Sequence, residues 1–422
     1  MSIEMEQHPA RPARVSSIDA TRGLVMFSMI FVNDIAGVSH KVVPDWMRHY
    51  HGASGMTFVD MVFPAFLFIM GMSIPSALGG RLRSGEPMWK TLLHVLARTL
   101  SLLLIGILMV NNENPGPDMA GISPNSWSVL MYLCAMLAFC SISAPARTEP
   151  SAETKARWQW LSRALRCAGL AGSVVLAFMF RGDQGQRIIT LSPFVIHTSW
   201  YGILGLIAWA YLIGSMIYLA FRSSAVALLA SMVLLLALYP ADKTGAFDGF
   251  WLGRYVGIGD TLGALPSIGV GGLLLASILP PTGQPRFAAR LRFTAWFIFG
   301  CAAGACLLKG LYGINKNEAT PSWCLWACVF TAIVWLVFHI FSDLGPIHPV
   351  AKVFILAGRN VLLAYLLSEM MPSVFAGIGV DQWYDKMGNV SFAAALVRSA
   401  TMGAALLAAT VGLNRLGFRL KL

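Results

Sequence analysis

Residues 57–79 read Thr-Phe-Val-Asp-Met-Val-Phe-Pro-Ala-Phe-Leu-Phe-Ile-Met-Gly-Met-Ser-Ile-Pro-Ser-Ala-Leu-Gly, a run of 23 residues whose one charge, Asp60, stands fourth. As a helix it rises about 35 Å, enough to cross roughly 30 Å of hydrocarbon. Comparable apolar runs recur along all 422 residues, separated by short polar or Gly/Pro-containing stretches. They fall at 22–38, 57–79, 91–110, 126–144, 164–180, 201–221, 224–239, 262–280, 293–312, 323–342, 351–376 and 391–413. Only 12% of the residues are charged and 56% are hydrophobic, whereas a soluble domain carries about a quarter charged residues. The expected fold is therefore an all-α, polytopic transmembrane bundle of about twelve spans, forming one membrane domain over 1–422 with a polar tail at 1–15.

Lysine and arginine placement sets the expected sidedness, because basic residues near helix ends are retained in the cytoplasm. With residue 1 inside, about 21 of the 31 Lys and Arg fall on the inner side. The inner clusters are Arg81, Arg83 and Lys90; Arg147, Lys155, Arg157, Arg163 and Arg166; and Arg286, Arg290 and Arg292. The tail with Arg415, Arg419 and Lys421 is then also inside, which needs an even number of crossings. The net charge of +11 follows this topology and an attraction to anionic lipid, so the expected partner is a bilayer and not a nucleic acid. The first apolar run is preceded by a polar segment and lacks a small-residue cleavage signal, so it reads as a retained anchor. The seven cysteines form no CxxC pair; they read as structural thiols, and no metal site is expected.

An ionisable residue inside a span is costly and is a functional hypothesis by default. The first span presents Arg22 near its inner end and Asn33 and Asp34 at its outer end, with about 16 Å of helix between Arg22 and Asn33. An outer loop follows with His40, Arg48, His49, Tyr50 and His51, and then Asp60 in the first turn of the second span. A carboxylate there can cap the helix, and it can also orient a neighbouring imidazole. Taken together, Asn33, Asp34, the loop histidines and Asp60 can converge at the mouth of the first hairpin. Arg98 and Arg359 lie roughly 10 to 12 Å inside their spans. There they can pair or snorkel, or, with Arg22, bind phosphate oxygens in the fork geometry of guanidinium.

The stretches Arg14-Val15-Ser16-Ser17-Ile18-Asp19-Ala20-Thr21-Arg22-Gly23, Met29-Ile30-Phe31-Val32-Asn33 and Thr57-Phe58-Val59-Asp60 through Gly71 resemble the transmembrane N-acetyltransferases related to heparan-alpha-glucosaminide N-acetyltransferase. Gly313-Ile314-Asn315-Lys316-Asn317 and Ala357-Gly358-Arg359-Asn360 through Tyr365 resemble later motifs of the same family. The resemblance implies transfer of an acetyl group from cytoplasmic acetyl-CoA to an amino sugar or related glycan acceptor across the membrane. It implies His49 as the reacting histidine, with His51 the competing position, and Asn33 and Asp60 beside it. With acetyl-CoA as donor, Arg22, Arg98 and Arg359 are the expected phosphate contacts, and Asp34, Asn315, Lys316 and Asn317 are the expected acceptor contacts. A homo-oligomer in a bacterial inner membrane is the expected setting. Residues 182–239 have no clear counterpart in the animal enzymes, which leaves the acceptor open.

An amine attacking a thioester must lose a proton, and histidine titrates where that is required. His49 can act as a base in direct transfer or carry the acetyl group itself. Asp60 can fix its tautomer, and the Asn33 amide can donate to the developing oxyanion. The alternatives are an envelope-polysaccharide O-acyltransferase and, from another class, a transporter or flippase whose buried charges line a path.

Overall fold

The structure, a computed structural model, describes residues 16–143, 151–191, 194–278, 287–343 and 347–420. The tail 1–15, Arg147, Arg286, Lys421 and the expected span ends at 144 and 279–280 lie outside the described residues. In chain order the helices are α1 (Ser16–Ala36), α2 (Val62–Arg83), α3 (Met88–Asn111), α4 (Pro124–Ala138), α5 (Ala152–Met179), α6 (Gly202–Phe221) and α7 (Ala225–Lys243). They continue with α8 (Leu265–Ile278), α9 (Phe287–Tyr312), α10 (Pro321–Asp343), α11 (Pro349–Ala357), α12 (Val361–Ile378), α13 (Asp381–Asn389) and α14 (Phe392–Arg415). Two short antiparallel pairs complete the chain: β1 (Cys140–Ile142) with β4 (Phe418–Leu420), and β2 (Ile189–Leu191) with β3 (Phe194–Ile196).

The protein is thus an all-α polytopic bundle. Each of the twelve expected segments contains a helix, although 126–144 leaves it after Ala138 and enters β1, and among the described residues ten helical stretches are long and apolar enough to cross a bilayer. The other two expected spans are α1, which carries Asp19, Arg22 and Asp34, and α4, which has only 15 residues. Large apolar side chains point outward as well as inward: Leu100, Val226, Leu307 and Leu311 are each at least 65% exposed. Such a surface is stable against lipid and not against water. Cys167 and Cys306 depart from the expectation of buried thiols, since both are exposed on α5 and α9.

α1 lies in the middle of the bundle, in contact with α2, α10, α11, α12 and α14. Its close contact with α11 depends on glycine. A Cβ on Gly23 would collide with the Phe354 carbonyl, and one on Gly358 with the Asp19 carbonyl. In lipid, where helices gain little from burying apolar surface against one another, such close backbone approach supplies much of the association. The eleventh expected span, within the helical stretch Pro349–Ile378, is broken: a 3-10 turn at Gly358–Asn360 separates α11 from α12. Asn360 leaves helical geometry at φ −147°, and its side chain is held by Asn414 Oδ1 at 2.9 Å and by the Leu420 amide at 3.4 Å. Irregular backbone at membrane depth is tolerated where protein or a cavity surrounds it. Here the break lines a cavity.

Candidate active site

The segment before α2 builds the first half of the site. Thr57-Phe58-Val59-Asp60 turns into the helix through a 3-10 turn at Val59–Met61, and Asp60 Oδ2 accepts the Thr57 amide at 3.0 Å. This is the backward reach of a capping box. The same oxygen accepts the Tyr50 amide at 3.1 Å, while Thr57 Oγ1 donates to the Arg48 carbonyl at 2.6 Å. These bonds fold the loop from Arg48 to Thr57 over the carboxylate, which is 1% exposed. Oδ1 then faces His49 Nδ1 at 2.9 Å. A carboxylate can only accept, so this contact is attractive when Nδ1 carries the proton; Nε2 is then left with its lone pair.

A third group arrives from far along the chain. Lys316, in the loop between α9 and α10, places Nζ 3.0 Å from His49 Nδ1 and 3.8 Å from Asp60 Oδ1. Backbone contacts fix that loop against the first one: Gly55 N–H donates to the Ile314 carbonyl at 2.9 Å, and the Ile314 amide donates to Ser54 Oγ at 3.0 Å. Burial, the largest influence, holds the Lys316 ammonium below the usual lysine range, and Asp60 acts in the opposite direction. His49 is partly exposed, so the centre is reachable.

The remaining expected residues divide between neighbouring networks. Asn33 Nδ2 donates to Glu369 Oε1 at 2.9 Å. Asp34 is taken up by Arg398 (3.1 Å), the Tyr384 hydroxyl (2.6 Å) and Ser399 Oγ (2.6 Å), which tie α1 to α13 and α14. Asn315 Oδ1 accepts from the amides of Asn317 and Glu318 and so shapes the Lys316 loop, and Asn317 is exposed. His51 is exposed. Glu369 was visible in the sequence only as an acidic residue within a span; its pairing with Asn33 joins positions 336 residues apart.

At the other end of α1 and α2, a cavity of about 640 Å³ is lined by Arg22, Arg98 and Arg359 together. It runs along α1 from Ile18 to Met29 and along α2 from Phe66 to Ala77. Arg22 is positioned by Asp19 (2.9 Å), Ser73 Oγ (2.6 Å) and the Gly358 carbonyl (3.4 Å). Arg98 stacks over the Tyr211 ring with its guanidinium carbon 4.7 Å from the centroid, and its Nε is buried without a hydrogen-bond partner. An unmatched buried guanidinium N–H beside two more arginines suits an anionic ligand with phosphate oxygens. Along α2, Ser73 at Arg22 is thirteen residues from Asp60, about 20 Å, while Phe66 at the cavity's inner part is six residues away, about 9 Å. A smaller cavity of about 370 Å³, lined mostly by apolar side chains of α1, α2 and α10, reaches Thr57.

Fold and geometry define a polytopic helical membrane protein with a histidine–carboxylate–lysine cluster at one end of the first hairpin and an arginine-lined cavity at the other. Residues 14–145 match a family described as a domain of unknown function, DUF5009. The chain is 35% identical over 102 residues to heparan-alpha-glucosaminide N-acetyltransferase of Homo sapiens, covering 24% of this chain and 14% of that protein. The Mus musculus protein of the same name is 35% identical over 98 residues, 23% of this chain and 14% of its own. The resemblance read from the motifs is thus borne out, with the chain spanning 14% of the length of these curated relatives. The DUF5009 match includes Arg22, Asn33, His49, Asp60 and Arg98, whereas Lys316 and Arg359 lie beyond it.

Proposed function

We propose that the protein is a membrane-embedded acetyltransferase that moves an acetyl group from cytoplasmic acetyl-CoA to an amino sugar or related glycan acceptor on the outer side, with His49 as the general base. The observation that carries this reading is the orientation of His49 by a buried carboxylate at the start of the helix whose Ser73 holds Arg22 in a cavity that Arg98 and Arg359 also line. Arg22, Arg98 and Arg359 hold the phosphates of the donor, and its acyl arm lies along the cavity toward Asp60. The neutral amine of the acceptor attacks the thioester carbonyl, and its proton goes to His49 Nε2 as the new N–C bond forms. The C–S bond then breaks and CoA leaves as the thiolate. Asn33, held by Glu369 through one amide hydrogen, has a second to donate to the oxyanion. Both termini are cytoplasmic in this reading, and the membrane is a bacterial inner membrane.

Purified protein given labelled acetyl-CoA and a panel of amino sugars tests it. Wild type and H51A are expected to form acetylated product, and H49A none above background. Activity in H49A equal to wild type overturns the assignment. A burst of acetylated protein without acceptor marks covalent transfer through His49 instead.

A further inference from the structure

Two groups crowd around one imidazole nitrogen, and their proton demands conflict. The contact from Asp60 Oδ1 to His49 Nδ1, at 2.9 Å, needs a proton on Nδ1. The contact from Lys316 Nζ to the same Nδ1, at 3.0 Å, is a hydrogen bond only if a single proton lies between the two nitrogens. A charged ammonium facing an Nδ1–H would place donor against donor. Two arrangements satisfy the Lys316 contact, and the first satisfies the Asp60 contact as well. In one, a neutral Lys316 amine accepts from Nδ1–H and Nε2 keeps its lone pair. In the other, a charged Lys316 donates to a bare Nδ1 and the ring proton sits on Nε2.

These arrangements are the start and end of a proton relay. We propose that Lys316 is the group to which His49 passes the acceptor's proton, by way of Nδ1, and not itself a contact of the acceptor. The inference rests on His49 acting as the base in the proposed transfer. As the amine attacks, its N–H proton moves to Nε2 and the Nδ1 proton moves to the Lys316 amine. The imidazole is neutral before and after, and the positive charge ends on Nζ, 3.8 Å from the Asp60 carboxylate. The resting state returns when Nε2 of the partly exposed His49 gives its proton to water and the Lys316 ammonium hands its own proton back to Nδ1. The depressed affinity of the half-buried ammonium for its proton supports this starting state.

Other charged groups nearby do not compete for the role. Glu318, two residues along, bonds Lys243 and the Tyr239 hydroxyl of α7, each at 3.1 Å. Arg48, beside His49, turns its guanidinium to His40 at 2.8 Å. Asp60 remains the anion that both partners share, with its second oxygen held by two backbone amides.

The sign of the pH dependence follows. A neutral Lys316 starts the cycle, so turnover rises with pH through the Lys316 titration, at lower pH than an ordinary lysine would set. In K316R the side chain stays protonated, and turnover is expected to fall on the order of a hundredfold, the scale of a lost proton acceptor, with the rising limb removed. K316A is expected to lose a similar factor and to be rescued by added ethylamine, increasingly so as pH rises and more of the amine is neutral. Full turnover with an unchanged pH profile in K316R overturns the relay. So does a K316A defect confined to the acceptor KM, which marks an acceptor contact. Nitrogen-15 spectra of histidine-labelled protein give a readout independent of activity and of folding in the variants. In wild type the neutral His49 tautomer should change from Nε2–H to Nδ1–H as pH rises. A pH-independent tautomer contradicts the proposal. Absence of acetyl transfer to every amino sugar in wild type overturns the proposed function instead, and the tautomer titration still decides the Lys316 pairing.

Discussion

Asp60 performs two tasks with two oxygens: Oδ2 ties the loop and helix start through the Tyr50 and Thr57 amides, while Oδ1 faces His49. An asparagine can keep the first task through its carbonyl oxygen and reverse the second, because its amide would donate to Nδ1 and leave the ring proton on Nε2. D60N is therefore expected to fold normally and to lose on the order of a hundredfold or more in turnover, as when a triad carboxylate becomes an amide. Asp34 offers the contrast. Its partner Arg398 is 4% exposed, and removing one member of a buried pair costs about 3–5 kcal/mol. D34A is expected to lower the amount and melting temperature of folded protein well before it alters the kinetics of what remains. Size-exclusion yield, thermal melting and turnover of the two variants check both statements; normal stability in D34A together with lost acceptor affinity would make Asp34 an acceptor ligand. The nearness of His49 to Asp60 was legible in the sequence because eleven residues and a tight turn join them. The distant pairings of Lys316 with His49, Asn33 with Glu369 and Asp34 with Arg398 were not, because nothing local in a helix or loop encodes which remote side chain it will meet.

At the scale of elements, hydropathy located a helix in each of the twelve segments, ten of them long and apolar enough for lipid and the other two, α1 and α4, charged or short. It gave poor boundaries for α5, whose polar first half extends the helix back to Ala152, and it carried 351–376 as one span through Gly358-Arg359-Asn360, where the helix breaks. Arg359 stands within that break and lines the same cavity as Arg22 and Arg98. Glycines at 23 and 358 permit the accompanying close approach of α1 to α11. Replacing Arg22, Arg98 or Arg359 with methionine is expected to weaken acetyl-CoA binding on the order of tenfold or more and to reduce its salt dependence, through loss of a charge-assisted contact. Calorimetric titration checks this, with melting curves alongside because Arg22 also bonds Asp19 and Ser73. Unchanged affinity in all three variants would return these arginines to pairing and packing roles.

Over the whole molecule, the two sites share α1 and α2 yet lie about 20 Å apart along the helix, so donor phosphates and acceptor need not enter from the same side. In the proposed topology, which rests on the lysine and arginine asymmetry, the arginine-lined cavity faces the cytoplasm and the His49 loop the outside. The most direct test of this account uses sealed vesicles with the protein inserted in a known orientation, labelled acetyl-CoA confined to the side of the arginine-lined cavity, and an amino sugar confined to the side of the His49 loop. Acetylated product is expected to accumulate only on the His49 side, with wild type and not with H49A. Product that forms only when donor and acceptor share one compartment, or at the same rate with H49A, would contradict transfer across the membrane through this centre.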